Sequence, residues 1–426
     1  MELGRTAVLS AILTGVRLLS GFISNKIFAI YIGPGGFATI GNVGNLVAIS
    51  SSAAGGLVQG GIVKLVAEVK DEAERDSVVF TALVITAALS LAVALMVFVF
   101  REPLAIALLG DIDLVVVCTA LSVALPLSGL ASTIQSVQNG RREIGAIVVA
   151  GVAVTPLILL LLFFLASRFG VVGAATVTTA AGALMLPIVA LTVLRSGRWV
   201  SAAIRGGRFQ ATYAWRLGAF ALMAATSALC VPASQYLVRM IVASEISITG
   251  AGLWQAMWRL SEMHASVFVS VLTFYFLPRY AECSDAASLR LEVSKAFRYI
   301  VPAVVASAGL IIVIRDTIIP ILFTNEFLAL RNALAIQAAG DVAKIASWIL
   351  AFILIAKTMT AYFVILEIAF SFLFVVLAAV LVPRLGIEGA AWAYLGMYVT
   401  YLGTLAALFW RRLSPQRASS AGQQIR

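Results

Sequence analysis

Eight ionisable side chains stand inside segments otherwise composed for lipid: the cations Arg17, Lys26, Arg239, Arg259 and Lys344, and the acids Glu262, Asp341 and Glu367. A charge at the bilayer centre costs at least about 2.5–3.5 kcal/mol on insertion scales, so this set must face itself or a wet cavity rather than lipid. Gln337, Asp341 and Lys344 fall at i, i+4 and i+7, and Gln255, Arg259 and Glu262 repeat that spacing, which makes each trio one polar stripe on one helix. Asn42 with Asn45, and Gln235 with Arg239, add further polar faces. Arg17 and Lys26, at i and i+9, lie half a turn out of phase and roughly 13 Å apart in depth.

The chemistry such a set supports is the holding of an anion in passage. The cations outnumber the acids, and Arg17, Lys26 and Arg239 have no acid near them in sequence. Two readings stay open for the acids. Asp341 with Lys344, and Glu262 with Arg259, are close enough to be ion pairs within one helix that lock the bundle. Alternatively Asp341, Glu262 and Glu367 tune the cations or carry a coupling proton or sodium ion. The lone histidine, His264, reads as a hydrogen-bonded group inside the bundle, and Cys118, Cys230 and Cys283 lack ligand spacing and read as packing residues. No metal or other cofactor is expected.

The elements that position these residues follow from composition. The chain is 62% hydrophobic and 12% charged, with mean hydropathy +1.03, values that soluble globular proteins do not reach. Long Leu, Ala, Val and Ile runs without period-2 alternation argue for an all-α integral membrane protein and against a β-barrel. Polar breaks give about twelve spans, near 7–31, 36–63, 77–100, 113–137, 144–166, 170–194, 212–242, 250–278, 297–318, 330–356, 360–382 and 387–410. The N-terminal apolar run contains Arg17 and continues to about residue 31, so it reads as a retained first span.

One set of connections carries most of the basic residues outside the spans, and the opposite set only Arg101, Arg168, Arg315, Arg331 and Arg384, which places both termini in the cytoplasm. The net charge of +10 is thereby assigned to topology, with no nucleic acid invoked. The basic stretch from Arg195 to Arg216 divides the chain into a first six-helix bundle, 1–195, a cytoplasmic linker, 196–211, a second bundle, 212–411, and a cytoplasmic tail, 412–426.

RFGVVGAA at Arg168–Ala175 recurs as RLGIEGAA at Arg384–Ala391, and GGF at Gly35 recurs as AGL at Ala251 with the same offset. An even number of spans per half makes this a parallel duplication, two bundles related by a pseudo-two-fold axis along the membrane normal. GPGG at Gly33–Gly36 reads as a tight turn or a hinge between the first two spans.

Several stretches carry a family likeness: GVRLLSGFISNKIFAIYIGPGGFATIGN from Gly15, GIVKLVAE from Gly61, GLWQ from Gly252, FLPRYAE from Phe276, QAAGDVAKIASWILAFILIAK from Gln337 and GAAWAY from Gly389. In order and spacing the chain resembles the Wzx-type flippases for undecaprenyl-diphosphate-linked oligosaccharides, especially the branch serving enterobacterial common antigen and O-antigens. These share a superfamily with the multidrug and toxic compound extruders. The resemblance implies twelve helices around a central cationic cavity, alternating access, and movement of a lipid-linked glycan from the cytoplasmic to the periplasmic leaflet of a bacterial inner membrane. It also implies a polymerase and a chain-length regulator of the same pathway as partners. Arg17, Lys26, Asp341 and Lys344 stand where the family pattern is matched; Arg239, Arg259 and Glu262 rest on spacing.

Two rivals are weighed against it. A multidrug exporter of organic cations needs acids without neighbouring cations, the reverse of this interior. A membrane glycan polymerase or ligase needs sizeable periplasmic loops with catalytic groups, and IGPGG, SRFG, SEISITG and PRLGIEG are short.

Overall fold

The computed structural model describes residues 2–196, 199–219 and 221–413, and every regular element among them is helical. Residues 197–198 of the expected linker and 414–426 of the expected tail lie outside the described residues. The chain forms two compact units, Met1–Tyr236 and Leu237–Arg426. Unit 1 holds α1 (Glu2–Tyr31), α2 (Gly33–Ala53), α3 (Gln59–Glu68), α4 (Glu72–Val99), α5 (Arg101–Leu104), α6 (Val115–Gly140), α7 (Ile144–Ser196), α8 (Trp199–Gly206), α9 (Ala211–Ala219) and most of α10 (Ala221–Glu245). Unit 2 takes the end of α10 and continues with α11 (Ile248–Val271), α12 (Leu277–Glu282), α13 (Ala286–Leu322), α14 (Arg331–Ala356), α15 (Thr360–Leu385) and α16 (Ile387–Leu413).

Among the described residues, eight helices are long and apolar enough to cross a membrane, or nine if α2 and the bent segment after it count as one. That is fewer than the twelve expected from the sequence. One reason is α7, whose 53 residues are interrupted by a non-helical glycine, Gly170 (φ 55, ψ −131). At about 1.5 Å per residue, a straight helix of that length would be more than twice the hydrocarbon thickness.

The sequence repeat has a backbone counterpart. Gly170 in RFGVVGAA and Gly386 in RLGIEGAA both adopt positive φ, 55° and 61°, with ψ near −131° and −139°. A side chain is strained in that region, which accounts for glycine at both places. Three residues on, a Cβ at Gly173 would sit 2.0 Å from the Leu165 carbonyl oxygen, and one at Gly389 would sit 2.3 Å from that of Leu381. The same tight corner is therefore built twice.

The second expected span is broken. SSSAAGG, Ser50–Gly56, has low helix propensity throughout its polar and glycine positions, and the chain turns by 60° between Ala53 and Gly56. Gly55 takes φ 114, and a Cβ there would meet Thr86 of α4 at 2.9 Å. After the break, α3 joins α4 in a core of Val58, Ile62, Leu65, Val66, Val78 and Val79, onto which Trp199 of α8 and Tyr213 of α9 also pack. The connection after α7 thus folds back as two short helices on unit 1.

In unit 2, α14 is the central helix. Its span is 72% buried, against 17% for α13 and 11% for α15. A charged residue on α14 is therefore shielded from lipid by its neighbours, and α14 is where Asp341 and Lys344 lie.

Candidate functional site

Unit 2 gathers its charges where α11, α14 and α16 meet. Asp341 and Lys344 are only 3% and 1% exposed, so each must find its partners within the protein. Gly340 decides how close α16 comes: a Cβ there would lie 2.4 Å from a ring carbon of Tyr394. With no Cβ in the way, the Tyr394 hydroxyl donates to Asp341 Oδ1 at 2.9 Å. Ser261 of α11 donates its hydroxyl to the same oxygen. The other carboxylate oxygen pairs with His264 Nδ1 at 3.0 Å, and His264 Nε2 lies 2.9 Å from Ser307 Oγ of α13. Gln337 Nε2 adds a bond to Ser261 Oγ at 3.3 Å.

Lys344, one turn further along α14, is paired differently. Its ammonium donates to Glu262 Oε1 of α11 at 2.6 Å. The rest of its surroundings are aromatic: the rings of Trp348, Trp258, Tyr398 and Tyr394 lie 4.9, 5.7, 5.7 and 5.9 Å from the nitrogen. Each such contact is worth roughly 0.5–2 kcal/mol when desolvated. Glu262 is the solvent-facing member, with 47% of its side chain exposed.

The within-helix pairs expected from spacing are thus replaced by pairs between helices. Asp341 bonds to His264, Ser261 and Tyr394 rather than to Lys344, and Glu262 bonds across to Lys344 of α14. Side chains at i and i+3 share a helix face, but α14 is surrounded, and α11 presents Ser261 and His264 to Asp341 and Glu262 to Lys344. The reading of His264 as a hydrogen-bonded group inside the bundle describes what is found, with the ring tying α11 to α13 and α14.

The remaining candidates fall elsewhere. Arg239 of α10 is 2% exposed, donating Nε and Nη2 to Gln255 Oε1 at 3.2 and 2.5 Å and lying 5.5 Å from the Trp254 ring. Arg259 is half-buried on α11. Glu367 is half-buried on α15 near Tyr398 and Tyr401 of α16. Arg17 is exposed and Lys26 half-buried, both on α1 of unit 1.

Sequence reasoning missed Ser261, Trp258, Trp348, Tyr394 and Tyr398. A signal was present: Trp258, Ser261 and Glu262 at i, i+3 and i+4, and Tyr394 with Tyr398 at i and i+4, each place polar-tipped or aromatic side chains on one helical face. Chemically the cluster stores charge in satisfied pairs and presents one carboxylate, Glu262, to solvent.

Comparison with known proteins bears on what that charge serves. A family model described as "Polysaccharide biosynthesis protein" matches residues 39–332. The lipid III flippase of Escherichia coli (strain K12) is 26% identical over 417 residues, spanning 97% of this chain and 100% of the relative. Among solved structures, an inward-facing multidrug resistance MATE family transporter of the MOP superfamily superposes with a TM-score of 0.78 at 16% identity, covering 95% of this chain and 96% of its own. The lipid II flippase MurJ, in an inward closed conformation, superposes with a TM-score of 0.71 at 13% identity, covering 95% and 87%. At those identities the superpositions speak to fold alone.

Proposed function

Because the chain belongs to the polysaccharide biosynthesis protein family, we propose that it is a flippase. Its cargo is an undecaprenyl-diphosphate-linked oligosaccharide, a repeat unit of enterobacterial common antigen or O-antigen, moved from the cytoplasmic to the periplasmic leaflet of a bacterial inner membrane. The near full-length match to a lipid III flippase supports this reading. In it the chain makes twelve passes, six per half, with α7 counted as two and both termini cytoplasmic. The broken second span and the repeated glycine corners at Gly170 and Gly386 fit such a count. Its binding groups are exposed alternately to the two leaflets, and the polymerase and chain-length regulator of the pathway act on what it delivers.

The observation that carries the proposal is the sign of the intramembrane charge. Lys344 is matched by Glu262; Arg17 is exposed and Lys26 half-buried on α1, Arg259 is half-buried on α11, and five cations stand against three acids in the membrane segments. Arg17, Lys26 and Arg259 are each candidate contacts for the diphosphate, whose oxygens suit guanidinium forks and ammonium groups. Arg239 and Lys344 are too deep to do so as they stand, and they fasten α10 and α14 to α11, the helix that carries Arg259. Asp341 and Glu262 keep those helices in register or take up a coupling proton or sodium ion, and Glu367 adds a further counter-charge.

Depleting the protein in cells tests this directly. A flippase leaves the complete lipid-linked repeat unit accumulating in the cytoplasmic leaflet. Exported single repeat units would point to a polymerase instead.

A further inference from the structure

One wall of unit 1 has the opposite chemistry to the charged cluster. Along α6, inside a span of mean hydropathy 2.2, Ser128, Ser132, Gln135, Ser136 and Asn139 fall at i, i+4, i+7, i+8 and i+11, on one face. Asn139 is exposed and the other four are half-buried. None carries a charge. Facing them across the break in the second span is Gln59, whose Nε2 donates to Ser132 Oγ at 3.0 Å and to the Gly55 carbonyl at 3.3 Å, and whose Oε1 accepts from Ser136. Gly56 and Gly60 flank Gln59 with exposed backbone.

Part of this arrangement is explained by helix packing. Gln59, Ser132 and Ser136 satisfy one another and fasten α3 to α6, as polar side chains commonly do between membrane helices. Gln135 does not fit that account. Its Nε2 is buried with no hydrogen-bond partner among the described residues, and an orphaned buried donor costs about 1–3 kcal/mol. The break adds an independent sign, because unwound backbone at membrane depth is tolerated where it lines a water-filled cavity or is buried in protein. Here Gly55 is buried against Thr86 while Gly56, next to it, is exposed.

We infer that this wall, with Gln135 at its centre and Gln59 and Asn139 beside it, binds the hydroxyl groups of a neutral sugar. Amides and hydroxyls donate and accept at once, which matches a ligand whose every polar group does the same. A charged ligand would find no counter-ion among these groups. The inference rests on the transport reading for why a sugar enters the protein at all, and it adds a division of labour: cations for the diphosphate, an uncharged face on α6 for the glycan.

The test uses the full-length protein in detergent with two probes. Maltose binding is followed by ligand-observed NMR, and inorganic pyrophosphate binding by calorimetry. Gln135→Leu is expected to weaken maltose binding about tenfold, the loss of one or two hydrogen bonds. It is also expected to leave pyrophosphate affinity unchanged and to keep or raise the thermal midpoint, since the substitution removes an orphaned amide. Gln59→Leu, which breaks the packing bonds, should lower the midpoint. Maltose binding that is absent in the parent protein, or equal in parent and Gln135→Leu, overturns the inference, and so does a midpoint that falls as far as in Gln59→Leu. Failure of the transport reading looks different: pyrophosphate would bind with no dependence on Arg17 or Arg259, whatever maltose does.

Discussion

Away from α1, several buried polar groups of unit 1 have neutral partners: Thr133 with Thr86 at 3.0 Å, Gln138 Nε2 with Thr192 at 3.0 Å, and Asn45 with the Pro232 carbonyl at 3.0 Å. Unit 2 does so with charge, through Lys344 and Glu262 at 2.6 Å and Asp341 and His264 at 3.0 Å. The same repeat-derived corner, Gly170 in one unit and Gly386 in the other, therefore sits in two interiors of different polarity. The backbone is alike at the places where only glycine fits, while the side chains around them differ. The energetic consequence is that unit 2 has more to lose. A neutral hydrogen bond contributes about 1 kcal/mol net, whereas a buried charge deprived of its partner costs about 3–5 kcal/mol.

Substitutions can break or sharpen that contrast. The largest loss is expected from Glu262→Ala, which strands the ammonium of Lys344 at 1% exposure. A destabilisation of about 3 kcal/mol should appear as a lowered thermal midpoint of the purified protein. Gly340→Ala comes next, about 2 kcal/mol, because the new Cβ would push Tyr394 off Asp341. The unit 1 counterpart, Gln59→Leu, should cost about 1 kcal/mol, since Ser132 keeps its bond to the Gly129 carbonyl at 2.9 Å. Smallest is Lys344→Met, about 1 kcal/mol or less. It replaces the buried cation with an apolar chain that fits among four rings and leaves Glu262 in contact with water. If Lys344→Met proved as damaging as Glu262→Ala, the aromatic surroundings rather than the stranded charge would be setting the stability of unit 2.

These differences also mark what could be read from the chain alone. Arg17, Arg259, Asp341 and Lys344 announce themselves because each costs several kcal/mol in lipid and so needs a reason. Their partners do not, because which side chains meet depends on how closely α11, α14 and α16 pack, as where Gly340 admits Tyr394. The repeat was legible through glycines whose conformations no other residue tolerates well. The wall on α6 was not singled out, since serine and glutamine cost little in an apolar helix and its significance lies in one unpartnered nitrogen of Gln135. The division of α7 was legible, since SRFG separates the expected spans 144–166 and 170–194 and the non-helical Gly170 stands there, whereas the 60° break inside the second expected span was not.

The central claim is that intramembrane cations recognise the diphosphate of a lipid-linked glycan in transit. It is tested most directly by reconstituting the protein in vesicles containing an undecaprenyl-diphosphate-linked oligosaccharide and measuring its movement between leaflets. The parent protein should accelerate that movement, and Arg17→Ala and Arg259→Ala, inserted at equal level, should each abolish most of the acceleration. Unchanged movement in both variants would contradict the account.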